Sequence, residues 1–527
     1  MTTTLDPRVD RRSAGSPSDW KPEDAAFWSA TGKRIANRNL WISIPCLLVA
    51  FAVWLSWSII TVQMRNLGFP FTDGELFTLQ SIAGLTGATL RIPNSFMIAI
   101  GGGRNVIAVT TGLLLLPAVG LGVALQDPAT PILVFYVLAA LSGIGGGNFA
   151  SSMSNISFFF PKRMQGLGLG LNAGLGNVGV SVMQLLLPFV MTFALFGALG
   201  GPALELPRAV GSSPAGTPVW IQNSGLVWVP VLLVLTIAAA VGMTNLPLFR
   251  VGRTSLAVLK VLGLELIGLG GAAVGLLLLL SLGWSMWLVL PVTIVLTVLG
   301  MKLLRGELAA NLQRQFGIFR SKHNWVMTWL YTMTFGSFIG FSMAFPLLIK
   351  VVFGTLADGS TVNPDAPNPF AFAWLGPLVG SLIRPVGGWL SDKLSGARVT
   401  QWTTVVMIGA TLGVAYYIRL ANGSDTPQDF FAPFLGLFLL LFITTGVGNG
   451  STFRMVPIIF PPEKAGPVLG WISAVAAYGA FLIPRVFKGQ VEAGTPEVAL
   501  YGFAVYYASC LLVNWWFYAR RNAACPC

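Results

Sequence analysis

The chain is 527 residues long, 54% hydrophobic and only 10% charged, with 61 glycines and 17 tryptophans, a composition that excludes an ordinary soluble domain and points to a polytopic membrane protein. Its 32 basic and 19 acidic residues leave a net charge of +13, which on a soluble protein would suggest a nucleic-acid partner. Here the basic residues fall in alternate loops and no basic patch is interleaved with aromatics, so nucleic-acid binding is excluded.

Residues 1–38 form a polar, basic leader carrying Arg8, Arg11, Arg12, Lys21, Lys33, Arg34 and Arg38. The span that follows lacks a small-residue cleavage site and reads as an uncleaved helix. About 20 consecutive apolar residues cross a bilayer. Twelve strong candidates and two more in the middle of the chain, centred from near Val49 to near Ala508, predict about 14 helical spans. Arg104, Lys162, Arg163, Arg250, Arg253, Arg314, Arg320, Lys322, Lys393, Arg398, Lys464, Arg520 and Arg521 share the side of the N-terminus, while Asp73, Glu75, Asp127, Glu205, Asp358, Asp365, Asp425 and Asp429 lie on the other. This positive-inside pattern places both termini in the cytoplasm of a cell inner (plasma) membrane protein.

Within the apolar run 76–102 stands Arg91, and within 370–390 stands Arg384, each closing a Gly-x-x-x-Arg element and neither with a carboxylate nearby in sequence. Ionisable residues at membrane depth are costly, so the pair marks a cationic trap awaiting an anion. The chain also repeats itself. Shifted by 300 residues, Gly146, Ser151, Phe160, Pro161, Gly166, Gly170 and Gly179 meet Gly446, Ser451, Phe460, Pro461, Gly466, Gly470 and Gly479, and the two arginines are 293 apart. Two parallel halves, 39–253 and 323–521, are therefore expected to form six-helix bundles with a site at their interface. Between them, 254–322 is an insert holding a transmembrane hairpin with apolar runs 256–282 and 284–304, and 522–527 is a cytoplasmic tail. Glu265 in the hairpin is expected to snorkel or sit at a helix end rather than to couple protons.

Small residues at three- and four-residue spacing let membrane helices approach closely. Gly146, Gly147, Gly174, Gly176, Gly446 and Gly448 are accordingly candidates for the conformational change. Asn148, Asn155, Asn172 and Asn177 lie among such glycines at membrane depth and need partners. Asp392 and Arg398, in the stretch from Gly388 to Arg398, are candidates for a helix-end contact or gating salt bridge. Arg454 is another gating candidate, expected to snorkel to the inner interface, and Lys350 an outer-face anchor. Of the four cysteines, Cys46 and Cys510 read as packing residues and Cys525 and Cys527 as free thiols, with no disulfide framework or metal spacing.

The stretch from Gly388 to Arg398 resembles the cytoplasmic loop motif of the major facilitator superfamily, although the equivalent first-half loop, Gly101 to Arg104, lacks the acid. Residues 143–179 and 446–484 resemble the two signature motifs of the nitrate/nitrite porter family, and the likeness runs from Asn39 to the C-terminus apart from the insert. The resemblance implies an all-α fold of two pseudo-symmetric bundles and a clamp of Arg91 and Arg384 on nitrate or nitrite. It also implies that Phe51, Phe149, Tyr331 and Phe335 sandwich the planar anion and that Asn177 ligates it.

Forked, always protonated guanidinium groups suit a small planar oxyanion. Two desolvated cations resist closing together until an anion fills the site, which predicts nitrate/nitrite antiport by alternating access. Proton-coupled nitrate symport is the alternative, disfavoured because His323 reads as a loop residue and Glu75 and Glu265 as lying near span ends. A membrane anion sensor without transport is a third reading. No cluster with catalytic or metal spacing suggests an enzyme, a metal or a cofactor. The expected partners are nitrate, nitrite and the lipid bilayer, with a monomer as the functional unit.

Overall fold

A computed structural model describes residues 19–210, 213–247, 251, 253–303, 316–523, 525 and 527. Arg8, Arg11, Arg12, Arg250 and Arg314, on which part of the charge pattern rests, lie outside these residues. Fourteen helical stretches of 17 residues or more run through the described chain: α1 (Ala25–Asn66), α2 (Asp73–Gly101), α3 (Gly103–Ala124), α4 (Ile132–Phe159), α5 (Lys162–Val190), α6 (Asn223–Gly242), α7 (Thr254–Leu280), α8 (Met286–Lys302), α9 (Lys322–Phe353), α10 (Pro369–Leu394), α11 (Gly396–Asn422), α12 (Pro427–Ile459), α13 (Val468–Glu492) and α14 (Pro496–Ala519). Twelve of them are long and apolar enough to cross a membrane; α2, which carries Gln80, Arg91 and Asn94, and the 17-residue α8 are the other two. The only strands among the described residues are Leu204–Glu205 and Pro218–Val219, an antiparallel pair in the α5–α6 connection.

Helix α2 is the centre of the packing. Its N-terminus is a capping box in which Thr72 and Glu75 satisfy each other's amides. From Leu76 to Asn94 every residue is buried. It lies against α4 of its own half, α13 of the other half and α7 of the hairpin. Glycine permits the cross-half contact, because a Cβ on Gly84 would stand 2.2 Å from the Ala480 backbone. Helices α1 and α9, and α5 and α10, complete the seam between the halves.

The hairpin α7–α8 closes on a small-residue seam, where Cβ atoms on Gly271 and Gly275 would lie 2.2 and 2.1 Å from the hydroxyls of Thr297 and Thr293. In the corresponding helix–helix junctions of the two halves the chain takes the same unusual backbone conformation. Gly102, between α2 and α3, has φ 74°, and Ser395, between α10 and α11 and 293 residues later, has φ 84°. Both lie in the region that favours glycine.

Candidate substrate site between the two halves

Arg91 is fully buried on α2. Its Nε donates to the Gly146 carbonyl of α4 at 3.0 Å and its Nη1 to the Ser473 carbonyl of α13 at 3.1 Å, so one guanidinium bonds to both halves, while Nη2 is buried without a partner. Arg384 begins the second segment of α10, just after the segment Leu375–Leu382 ends, and Pro385 at the first turn suits that restart. Its Nε and Nη2 are both buried and unpartnered. No described carboxylate forms an ion pair with either arginine.

Motif glycines seat both arginines. A Cβ on Gly146 would be 2.7 Å from Gly87 and one on Gly147 2.9 Å from Leu90, which presses α4 onto the stretch of α2 around Arg91. In the second half a Cβ on Gly446 would be 2.3 Å from the Gly380 carbonyl and one on Gly450 2.3 Å from that of Arg384. Gly176 meets Leu47 and Gly448 meets Thr334 in the same way. Gly174 and Gly170 differ: nothing stands within 4 Å of a Cβ there, so close helix approach does not account for these two.

Aromatic rings line the space. Arg91 Cζ lies 4.7 Å from the centroid of Phe149, 5.1 Å from Phe335 and 5.5 Å from Trp54, and Arg384 Cζ lies 4.4 Å from Phe338 and 5.6 Å from Phe335. Phe335 sits on a π-helical turn, Thr332–Gly336, a local widening of the kind often found at functional positions. Tyr331 stacks on Phe335 at 5.7 Å and 13°, and its hydroxyl lies 3.4 Å from Asn449 Nδ2. Phe51 meets Phe149 edge-on at 5.9 Å. Neither Phe51 nor Tyr331 lies under a guanidinium among the described residues; they back the rings that do. Asn177 is buried with Oδ1 unpartnered and its amide spent on the Ala173 carbonyl, and no hydrogen bond joins it to the arginines. Sequence reasoning missed Trp54 and Phe338, which follow Phe51 and Phe335 by three residues. That helical spacing was the available signal.

A cavity of about 420 Å³ lies between the halves next to this site, with Phe149, Met153, Phe453, Trp471 and Ser473 in its wall. Val298 and Met301 of α8 and Ile318 and Phe319 beyond it also line it, so the hairpin borders the cavity. Phe158, another wall residue, accepts a hydrogen bond from Trp20 Nε1 at its carbonyl, which puts the cavity on the side of the N-terminus.

No family model matches the chain. It is 39% identical to the probable nitrate/nitrite antiporter NarK2 of Thermus thermophilus over 97% of this chain and 98% of that one. It is 38% identical to the nitrate/nitrite transporter NarU of Escherichia coli over 96% of each. The chain belongs to the NarK-type nitrate/nitrite porter family of the major facilitator superfamily. This porter also shares its fold with a solved peptide transporter crystallised with sulfate (TM-score 0.57, 15% identity, 92% of this chain and 96% of that one) and with the nucleoside transporter NupG (TM-score 0.52, 13% identity, 90% and 98%). It is a multi-pass membrane protein built from helices.

Several expected roles change on this porter. Arg454 pairs with Asp392, joining α12 to α10 inside one half, and both side chains are about half exposed, at 45% and 57%. Arg398 is exposed, with its amide held by Ser395 Oγ at 3.4 Å. His323 is not in a loop but starts α9, its Nδ1 3.1 Å from the Tyr518 hydroxyl. Glu265 neither snorkels nor caps a helix. It is 2% exposed, and its Oε1 accepts from Asn94 Nδ2 at 2.8 Å, because the hairpin is packed face-on against α2. Among the motif asparagines, Asn172 finds Ser152 Oγ at 2.8 Å, whereas Asn148 Oδ1 and Asn155 Nδ2 are buried without partners.

Proposed function

We propose that this porter exchanges nitrate and nitrite across the cell inner membrane by alternating access, with Arg91 and Arg384 supplying the counter-charge for the anion. The observation that carries the reading is the pair of guanidinium groups, Arg91 fully and Arg384 partly buried, whose enclosed, unpartnered N–H groups surround one shared ring, Phe335. An oxyanion satisfies those donors and offsets the cost of two buried cations, whereas the empty site resists occlusion. The names of the relatives support nitrate and nitrite as the anions.

The working unit in this reading is a monomer with both termini cytoplasmic. Two six-helix halves, 39–253 and 323–521, flank an inserted hairpin within 254–322, for fourteen spans in all. The cavity on the N-terminal side makes the conformation inward-facing. The opposite end is held by Arg65, which pairs with Asp73 at 2.7 Å and donates across the seam to the Lys350 carbonyl at 3.4 Å. Phe51, Tyr331 and Asn177 complete the wall, and the motif glycines with Asp392, Arg398 and Arg454 serve the movement of the helices.

Nitrite-loaded proteoliposomes should take up labelled nitrate with or without a pH gradient, and Arg91→Lys or Arg384→Lys should remove uptake at low nitrate while leaving the protein folded. Normal uptake by either variant would discard the clamp. Gradient-driven uptake into vesicles without internal anion would favour proton-coupled symport, the second reading that a carboxyl group as deeply placed as Glu265 keeps open.

A further inference from the structure

Glu265 is the one acidic side chain among the described residues that is both fully enclosed and outside any ion pair. It lies on α7, within the inserted hairpin. Its Oε1 accepts from Asn94 Nδ2, and its Oε2 is buried without any partner. Asn94 also donates to the Leu90 carbonyl at 3.0 Å, and its Nδ2 would stand 2.9 Å from a Cβ on Gly147, the motif glycine next to the one that accepts from Arg91. The carboxyl group thus touches the very turn of α2 that carries Arg91, through a residue wedged against α4. The charged groups on the elements packed against α7 are Asp73, Glu75 and Arg91 of α2, Arg104 of α3 and Lys302 of α8, with Lys260 on α7 itself. None of them bonds to Glu265.

A carboxylate with an orphaned oxygen in a dry, apolar seam is costly, and protonation of that oxygen relieves the cost. We propose that Glu265 is a proton-binding site which, through Asn94, makes anion binding at the clamp depend on pH. The inference rests on the exchange reading and adds a regulator to it. With Glu265 neutral, the transported anion is the sole negative charge near Arg91. With Glu265 ionised, a second negative charge stands beside the same helical turn and competes with the anion for the field of the guanidinium. The proton binds and leaves at Oε2 when the seam opens, so it need not cross the membrane with the anion. The inserted hairpin thereby gains a role, since it carries the proton site and holds it against α2.

The test pairs transport with spectroscopy on the full-length protein. Nitrate exchange in nitrite-loaded proteoliposomes, measured with equal pH on both sides, should lose affinity by about tenfold from acid to alkaline pH, a coupling of the size usual between linked sites. Glu265→Gln, which keeps an acceptor for Asn94, should hold the acid-side affinity at every pH. The pH-difference infrared spectrum of the wild type should show the carbonyl stretch of a protonated, buried carboxyl group. That band should vanish in Glu265→Gln and shift in Asn94→Ala. An unchanged pH profile in Glu265→Gln, or a band that survives the substitution, would overturn the proposal. If Glu265→Gln is not monodisperse, the band shift in Asn94→Ala decides alone, and no shift rejects the pair. Loss of exchange at all pH values with the band intact would count against the exchange reading and leave the proton site standing.

Discussion

Arg91 and Arg384, one from each half, lie over the same ring, with Phe335 at 5.1 Å from one guanidinium carbon and 5.6 Å from the other. Under the proposed function this ring is the floor on which two cations are brought together. Phe335→Leu keeps most of the apolar volume but removes both cation–π contacts, each worth roughly 0.5–1 kcal/mol. Half-saturating nitrate in the exchange assay should rise about tenfold, which corresponds to ~1.4 kcal/mol, with thermal unfolding shifted only slightly. Unchanged affinity would take the ring out of the anion's surroundings.

The motif glycines divide into two kinds, and substitution should separate them. Gly446→Ala drives a methyl group against the Gly380 carbonyl at 2.3 Å, a backbone atom that cannot swing aside. It should destabilise the protein by about 3 kcal/mol, visible as an early melt in fluorescence-detected size exclusion. Gly174→Ala meets nothing within 4 Å and should melt at the wild-type temperature or slightly above it.

Gly102 and Ser395 give a second contrast, because they share a backbone conformation but not an environment. A Cβ on Gly102 would be 2.5 Å from Asn245 Oδ1, the atom that accepts from the Arg104 amide, so Gly102→Ala combines torsional strain with a lost hydrogen bond and should cost about 2 kcal/mol. Ser395 offsets its strain by bonding the Cys527 carbonyl at 2.5 Å and capping Arg398. Replacing it with glycine should therefore stay within about 0.5 kcal/mol of wild type. Thermal unfolding in detergent compares the two.

In the α9–α10 loop, the Thr361 hydroxyl and amide, followed by the Ser360 amide, hold the Asp358 carboxyl well below the usual carboxylate range. A depressed folded-state value means that the contribution is complete above the ordinary aspartate value near 4 and is lost as pH falls further through the folded value. The melting difference between wild type and Asp358→Asn should be constant from neutral pH to about 5 and shrink below about 4. A difference that persists undiminished at pH 2 would separate these hydrogen bonds from the carboxylate charge.

The parts of the site legible in the sequence were those written as side chains in a repeat. Arg91 and Arg384 stood out as charges in apolar runs, and the duplicated glycines marked α4 and α12, which do press on the helices bearing those arginines. The partners of Arg91 were not legible, because the Gly146 and Ser473 carbonyls are backbone atoms carried by every residue alike. Trp54 and Phe338 were hidden among 17 tryptophans and 35 phenylalanines, in helices where aromatic packing is commonplace. Glu265 was misread for a different reason. Its distance along the chain from a helix end was taken for its depth in the molecule, yet depth was set by α7 lying flat on α2, a long-range contact with no local sequence signal. The partner of Arg454 was not legible either, Asp392 being 62 residues away.

From residue 316 onward the peptide that leads into the second half is packed against its neighbours. Where it re-enters the described chain, Phe319 packs edge-on against Trp471 at 4.6 Å, and its carbonyl receives Trp325 Nε1 at 3.0 Å. Phe319 and Trp471 are also wall residues of the cavity. Residues 316–320 are therefore moored on the cavity wall, and under the proposed rocking of the halves this contact must either travel with one half or break.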